Sequence, residues 1–182
     1  MELDGIPVNF AGPPAGIARR NGLPYPSMEI RVATRSDIPQ IVGLVNVAFR
    51  LAEGFFVEGD RTNPTQIEAM FQTGTFLLAD ISGELAACVY LELRGERAYF
   101  GLLSVDPDHQ RQGVGRALVD EVERRAKEAG CGIMDILTVN VRPELVPLYS
   151  KMGYAESGTA PFPAHVRIKM PCHFVRMSKD LE

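Results

Sequence analysis

The sequence predicts one mixed α/β domain built around a mostly antiparallel sheet of about seven strands. Two apolar segments, 85–93 and 98–105, are joined by a short loop that contains Gly95, which is typical of an antiparallel β-hairpin. A helical segment then separates the second of these strands from another apolar strand, and such a crossover makes the two strands parallel neighbours. The chain has 182 residues, of which 46% are hydrophobic, so it can bury one sizeable core.

Before the hairpin, the pattern predicts one strand, two helices and a second strand. The first strand covers 30–33, and Ser36 is the expected cap of the helix that follows. Asn63 caps the second helix, which ends at Gly74, and the next strand covers 75–80. The first helix carries an apolar stripe that should face the core: Ile38, Ile41, Val42, Val45, Ala48 and Phe49.

The residues after the hairpin complete the predicted order βααβββαβαββ. The next helix is amphipathic, because Val114, Leu118 and Val122 share one face while charged residues occupy the other. The expected elements are a helix over 113–129, a buried strand over 133–139, a helix over 143–152, and strands over 154–157 and 172–177.

Residues 1–28 are expected to form an extended arm that precedes a domain over 29–182. Prolines and glycines interrupt any regular element in the arm: Gly5, Pro7, Gly12, Pro13, Pro14, Gly16, Gly22, Pro24 and Pro26. The arm could be a loosely ordered terminus, or it could wrap its own domain or a partner subunit, as in a homodimer.

Composition limits the classes of partner. The formal net charge is −4, with both signs spread along the chain, so no basic field favours nucleic acid. No segment approaches about 18 consecutive apolar residues, so no membrane span is expected. Cys88, Cys131 and Cys172 lie far apart without metal-ligand spacing. This is typical of reduced thiols in a cytoplasmic protein, and no metal is expected.

A turn and a glycine-rich helix start follow the second hairpin strand. Gly113 and Gly115 carry no side chain where the helix begins, so unpaired backbone N–H groups and the positive end of the helix dipole can face a phosphate. Arg111 and Arg116 add positive charge. A dinucleotide fingerprint would need a small residue in place of Leu118, and a nucleotide-triphosphate loop would need Gly-Lys-Ser/Thr, so neither pattern fits.

Two motifs in the C-terminal half form a joint signal. Gln110, Gly113 and Gly115 match the pattern Gln/Arg-x-x-Gly-x-Gly/Ala after an apolar strand. Residues 148–154 read Leu-Tyr-Ser-Lys-Met-Gly-Tyr and match Leu-Tyr-x-x-x-Gly-Phe/Tyr. In this order, with a helix and a strand between them, the motifs resemble those of the GNAT superfamily of acyl-CoA-dependent N-acetyltransferases, over roughly residues 29–179.

This resemblance implies a GNAT-like sheet with helices on both faces, in which parallel strands 4 and 5 splay apart at a bulge. Acetyl-CoA would be the co-substrate. The backbone of Leu103, Ser104 and Val105 would contact its pantetheine arm, and a backbone N–H there would polarise the thioester carbonyl. Asn140, or Arg142 in its place, would also contact the cofactor. The residues implied around the pyrophosphate are Gln110, Arg111, Gln112, Gly113, Val114, Gly115 and Arg116.

The resemblance also implies catalytic and acceptor-binding residues. Tyr149 would be the general acid, since a phenol near the sulfur can protonate the departing thiolate. An ammonium acceptor also needs a base, for which Glu92 is the candidate, although it could equally be a solvated strand residue. Phe56, Glu58 and Phe162 lie in the two loops that would shape the acceptor pocket, but Phe56 could instead pack the loop onto the core.

The predicted function is therefore an N-acetyltransferase that transfers an acetyl group from acetyl-CoA to a primary amine by direct attack in a ternary complex. The acceptor would be a small molecule or a peptide. Cys88 and Cys131 have no histidine nearby in sequence, and a covalent route through a cysteine is less favoured than direct transfer. The alternative is a non-catalytic acyl-CoA-binding module that acts as a sensor or scaffold.

Overall fold

The computed structural model describes residues 28–182. The predicted arm therefore lies outside the described residues, apart from Met28, which begins the first strand. No helix in this part of the chain is long and apolar enough to cross a membrane. The elements are β1 (Met28–Val32), α1 (Ile38–Glu53), α2 (Pro64–Met70), β2 (Thr75–Ile81), β3 (Glu84–Arg94), β4 (Arg97–Val105), α3 (Val114–Glu128), β5 (Ile133–Val139), α4 (Leu145–Ser150), β6 (Ala155–Pro161) and β7 (His173–Asp180).

All seven strands belong to one sheet, in the spatial order β1-β2-β3-β4-β5-β7-β6. β4 and β5 are parallel, and every other pair of neighbours is antiparallel. The predicted fold class and the predicted order of elements are thus confirmed. The helix between β4 and β5 provides the crossover that a parallel pair requires.

Helices cover both faces of the sheet. Along β2, Leu77 and Ala79 pack into the core that α3 and α4 share, whereas Phe76 and Leu78 pack into the core that α1 and α2 share. Because successive strand residues point to opposite faces, a strand covered on both sides needs a continuous apolar run. β2, β3 and β4 have such runs, which places the centre of the sheet in the middle of the molecule.

The first helix starts differently from the prediction, whereas Asn63 caps α2 as expected. A 3-10 turn precedes α1, and its cap is Thr34 rather than Ser36. The Asp37 carboxylate accepts a hydrogen bond from the Thr34 backbone N–H at 2.7 Å and pairs with Arg31 at 2.9 Å. The bond to Arg31 and those to Thr34 lower the pKa of Asp37 to about 2. The Asp37 carboxylate, with its bonds to Thr34 and Arg31, thus determines where this helix begins, and the Ser36 hydroxyl does not.

β4 and β5 separate soon after they begin. They pair only where Arg97–Tyr99 faces Ile133–Asp135. Further along β4, its register with β3 shifts between the pairs Tyr90–Gly101 and Cys88–Ser104. Leu102 lies at this bulge with a φ of 50°, which is uncommon for a residue with a side chain. Beyond Tyr99, the β4 edge that faces β5 therefore has no strand partner in the sheet.

Two loops meet at the end of the sheet towards which β4 and β5 diverge. The loop between α1 and α2 forms an isolated bridge, Val57 with Ile168, to the loop between β6 and β7. The backbone N–H of Lys169 donates to the Phe56 carbonyl at 2.7 Å, and the rings of Phe56 and Phe162 are 6.1 Å apart. These contacts hold the two loops against each other.

Candidate active site

The turn before α3 is exposed to solvent over residues 111–113. Gly113 has a φ of 83° and Arg111 a φ of 62°, both left-handed, so the chain turns sharply before the helix starts at Val114. No side chain caps this helix, and its first turn contains no acidic residue. A Cβ built on Gly113 would meet nothing within 4 Å. The turn thus leaves open space in front of unpaired N–H groups and the positive end of α3.

The polar side chains of this turn mainly stabilise the turn itself. Gln110 donates to the Val105 carbonyl at 3.4 Å, and Gln112 donates to the Asp108 carbonyl at 3.0 Å. Arg116 pairs with Asp120, one helical turn further on, at 2.7 Å. These residues, with Val114 and Gly115, lie in the turn and the first turn of α3, where the groups free of partners are mainly backbone N–H.

The β4 residues expected to face the pantetheine arm lie on the unpaired edge. The side chains of Leu103 and Val105 belong to the core under α3 and α4, while the Ser104 hydroxyl donates to the Leu102 carbonyl at 3.1 Å. Their side chains are therefore occupied within the protein. Apart from the Val105 carbonyl, which accepts from Gln110, the backbone edge of this segment that faces β5 is open to a ligand, as an edge strand is to an added strand.

Tyr149 lies close to this edge. The centre of its ring is 6.3 Å from the centre of the Phe100 ring. Phe100 is the first β4 residue beyond the stretch that pairs with β5. The side chain is fully buried, and its hydroxyl has no hydrogen-bond partner within residues 28–182. Burial raises the pKa of Tyr149, against a lowering effect of the Arg142 charge, so the phenol stays protonated at neutral pH.

Glu53 is a buried carboxylate that the sequence analysis did not identify. It is the last residue of α1 and only 1% exposed, and neither of its oxygens has a hydrogen-bond partner in the described part of the chain. Burial raises its pKa to about 7, although the positive charges of Arg61 and Arg142 oppose the shift. A carboxylate at the negative end of a helix dipole is further disfavoured in its ionised form.

A sequence signal for Glu53 was present. Ile41, Val45, Phe49 and Glu53 are each four residues apart, which places the carboxylate on the apolar stripe that faces the core. A charged residue at the end of such a stripe is rare unless it is paired or functional.

Arg61 is the second polar residue that the sequence analysis missed. It lies in the loop between α1 and α2, and its Nε and Nη2 atoms are buried without a hydrogen-bond partner among the residues described. Its charge acts on Glu53 and on Tyr99, and burial lowers its pKa. The guanidinium also lies over the Phe49 ring, 5.3 Å from its centre.

The loop after β5 brings Arg142 into this group. Arg142 is 6% exposed, and its Nε donates to Glu144 at 2.9 Å. Its charge acts on both Glu53 and Tyr149. Asn140 instead ties the ends of β5 and β7 together, because its side chain accepts a hydrogen bond from the His173 N–H at 2.8 Å. Of the two residues predicted here, Arg142 is the one that joins the buried polar group.

The other predicted residues have different surroundings, although the Phe56 N–H donates to the Glu53 carbonyl at 2.9 Å. Glu92 forms a two-bond ion pair with Arg94, at 2.9 and 3.0 Å, and accepts a hydrogen bond from Tyr90 at 3.3 Å. It faces Tyr99 across the β3–β4 ladder. Phe56 is fully buried, as the packing alternative expected, whereas the Glu58 side chain is exposed. No cluster of three or more His, Cys, Asp or Glu suited to a metal ion occurs between residues 28 and 182.

The raised pKa of Glu53 predicts a pH-dependent stability. Because its pKa in the folded state, about 7, exceeds the ordinary value of 4.5, the folded state holds this proton more tightly. The associated stabilisation is present below pH 4.5 and is lost as the pH rises through 7. Glu53→Gln resembles the protonated acid at every pH. The difference between its free energy of unfolding and that of the wild type should therefore shift in favour of the variant by about 2 kcal/mol from pH 5 to pH 8.

Urea unfolding of both proteins at these two pH values measures this difference. The exposed Glu96→Gln should follow the wild type at both. Equal differences between Glu53→Gln and the wild type at pH 5 and pH 8 would contradict the raised pKa.

Comparisons with known proteins agree with this architecture. Residues 53–181 match the model of the acetyltransferase (GNAT) domain. The acetyltransferase YE1169 of Yersinia enterocolitica is 26% identical over 132 residues, a match that covers 72% of this chain and 91% of that protein. YdhI of Bacillus subtilis is 29% identical over 86 residues, and this match covers 47% of this chain and 52% of YdhI.

A solved structure shares the fold. YncA of Salmonella typhimurium, determined with its cofactor acetyl-CoA, superposes with a TM-score of 0.67 at 18% sequence identity, over 85% of this chain and 94% of that one. The family match includes the turn before α3, the separation of β4 from β5 and the buried polar group. The chain belongs to the GNAT acetyltransferase family.

Proposed function

We propose that the chain is an N-acetyltransferase that moves an acetyl group from acetyl-CoA to a primary amine by direct attack in a ternary complex. One observation carries this proposal. The Glu53 carboxylate and the Tyr149 phenol are both buried without a hydrogen-bond partner among the described residues, and the charge of Arg142 acts on both. A proton acceptor and a proton donor are thus close to one cation, near the unpaired edge of β4.

The chain offers acetyl-CoA two complementary surfaces. The open turn at Gly113 suits a pyrophosphate, because the N–H groups there lack a cap. The unpaired β4 edge over Leu103–Val105 suits the amides of a pantetheine arm. Acetyl-CoA supplies a thioester with an electrophilic carbonyl carbon and a sulfur that leaves as a thiolate.

Glu53 is the better base of the two carboxylates considered. A general base works best when its pKa lies near the working pH, and the pKa of Glu53 is about 7. The Glu92 carboxylate is instead held by both hydrogen bonds from Arg94. In the proposed reaction Glu53 accepts a proton from the acceptor ammonium, and the neutral amine then forms the new C–N bond as the C–S bond breaks.

Tyr149 completes the proton balance. Its phenol gives a proton to the thiolate that leaves, and the resulting phenolate takes the second proton from the amine nitrogen, so Tyr149 is restored. Glu53 then releases its proton to solvent. Burial keeps the phenol protonated until the thiolate forms.

The cysteines favour direct transfer over a covalent acetyl-enzyme. Burial raises the pKa of Cys88 to about 12, and burial together with the Glu53 charge raises that of Cys172. The thiolate is the nucleophilic form, so both residues are held in their unreactive state.

The phosphate-binding turn can be tested at Gly113. Gly113→Ala strains the left-handed backbone by about 1 kcal/mol and places a methyl group in the open space before α3. We expect at least a tenfold loss of acetyl-CoA affinity by calorimetric titration. Gly83→Ala is the matched control, since Gly83 has a φ of 84°, equally open surroundings and a place in the β2–β3 turn. It should bind acetyl-CoA within twofold of the wild type, and equal losses in both variants would refute the assignment.

The acid can be tested with Tyr149→Phe, which removes only the hydroxyl. Turnover at saturating acceptor should fall about 100-fold while acetyl-CoA affinity stays within twofold. Tyr154→Phe is the control, because the Tyr154 hydroxyl donates to Glu123 at 2.7 Å and should contribute to stability alone. Thiol release monitors both variants, and unchanged turnover in Tyr149→Phe would remove this residue as the acid.

The kinetics of two variants distinguish Glu53 from Glu92 as the base. We expect Glu53→Gln to lower kcat about 100-fold and to abolish the decline of wild-type kcat below pH 7, whereas Glu92→Gln should keep both the rate and the decline. The measurement is thiol release over a pH series with a panel of amines. The opposite pattern would make Glu92 the base. Tight acetyl-CoA binding without amine-dependent release by the wild type would instead identify a non-catalytic module.

A further inference from the structure

Arg61 has an unused hydrogen-bonding edge inside the molecule. The face of its guanidinium is covered by the Phe49 ring, 5.3 Å from centre to centre. The atoms without a partner are Nε and Nη2, which lie on the same edge of the group. This edge donates two parallel N–H bonds and is the side on which an arginine binds a carboxylate in bidentate fashion.

Hydrogen bonds from α1 hold the backbone next to Arg61 in place without a ligand. Asn46, on α1, accepts a hydrogen bond from the Thr62 N–H at 2.9 Å and donates to the Thr62 carbonyl at 3.0 Å. Both backbone polar groups of Thr62, the residue next to Arg61, are thereby bonded to the helix that carries Glu53. The distance between the Arg61 loop and Glu53 is set by this pair of bonds, as in a prepared binding site.

Glu53 and Arg61 attract each other electrostatically, yet neither satisfies the other. Both Glu53 oxygens and the Arg61 edge lack hydrogen-bond partners among the described residues. A buried charged group without hydrogen bonds is costly, so a ligand that supplies the missing partners binds favourably. A simple amine could bond only to Glu53 and would leave the Arg61 edge buried and unused. A ligand with an ammonium and a carboxylate would satisfy both.

Taking the proposed N-acetyltransferase function as its basis, we propose that the acceptor is a small amino acid, and that the Nε and Nη2 atoms of Arg61 bind its carboxylate. The Glu53 carboxylate then receives the ammonium group. Arg61 serves here as a specificity-determining residue, because it holds the acceptor by a group that does not react.

Matched pairs of acceptors test this proposal on the wild-type protein. Each pair consists of an amino acid and its amide, which keeps the amine and the side chain but removes the negative charge. Suitable pairs are leucine and leucinamide, phenylalanine and phenylalaninamide, and β-alanine and β-alaninamide. With acetyl-CoA saturating and thiol release as the readout, kcat/KM for at least one amino acid should exceed that of its amide at least tenfold.

Two variants connect the preference to Arg61. Arg61→Gln should lower kcat/KM for the preferred amino acid at least tenfold, mainly through KM, and leave that for its amide within about twofold. Arg61→Lys keeps the charge without the two-bond edge and should recover only part of the loss. Arg50→Gln is the control, since Arg50 is exposed on α1 and pairs with Asp60. It should behave as the wild type.

The outcomes separate this inference from the proposed function. Amides that react as well as their amino acids would overturn the inference while the N-acetyltransferase activity stands. A preference for amino acids that persists in Arg61→Gln would overturn the assignment to Arg61. Failure of every amine, charged or neutral, to release thiol would overturn the proposed function and the inference together.

Discussion

The candidate site depends on the early separation of β4 and β5. The two strands pair only over Arg97–Tyr99, and the bulge at Leu102 then changes the direction of β4 relative to β3. A strand edge in the interior of a sheet normally has a partner, because unpaired backbone groups are costly away from water. Here the sheet itself leaves a row of such groups open. The left-handed backbone of Leu102 is the local cost of this arrangement, and strain of this kind is commonly found at functional sites.

The same separation makes room for charge inside the fold. Glu53 comes from the end of α1, Arg61 from the following loop, Arg142 from the loop after β5, and Tyr149 from α4. Each would be unfavourable in a closed apolar core. Their charges and dipoles act on one another, but the hydrogen bonds of Glu53, Tyr149 and the Arg61 edge are not used within the described part of the chain. Keeping these polar groups buried without hydrogen bonds therefore costs the fold some stability.

Features encoded by neighbouring residues could be predicted from the sequence. The hairpin turns at Gly95 with a φ of 72°, and α3 starts after Gly113, because glycine adopts these conformations readily. The proposed cofactor surface is mostly the backbone of one continuous segment, so its motif could be recognised in the sequence. The first helix start was mispredicted because Ser36 and Thr34 are both good caps, and the choice depends on the bond between Asp37 and a strand residue, Arg31.

The buried polar group could be predicted only in part, because the family resemblance implied Tyr149 and Arg142 but not Glu53 and Arg61. Its groups come from four segments, and their proximity arises only when α1 packs on the sheet and α4 follows β5. Glu92 was a reasonable base on a neighbouring strand, but its partner Arg94 lies two residues along the same strand, a pairing that depends on side-chain conformation. Glu53 had a local signal in its position on the apolar stripe, whereas Arg61 had none, since a lone arginine in a loop is ordinarily solvated.

For the proposed reaction, the burial of Glu53 helps to explain how a carboxylate can deprotonate an ammonium group. In water the two pKa values are far apart, so proton transfer from an amine to a carboxylate is unfavourable. Burial moves the pKa of Glu53 upward, to about 7. The same burial, with the positive charges of Arg61 and Arg142 nearby, disfavours an ammonium and moves its pKa downward. Both shifts make the proposed proton transfer from the ammonium to Glu53 less unfavourable than it is in water.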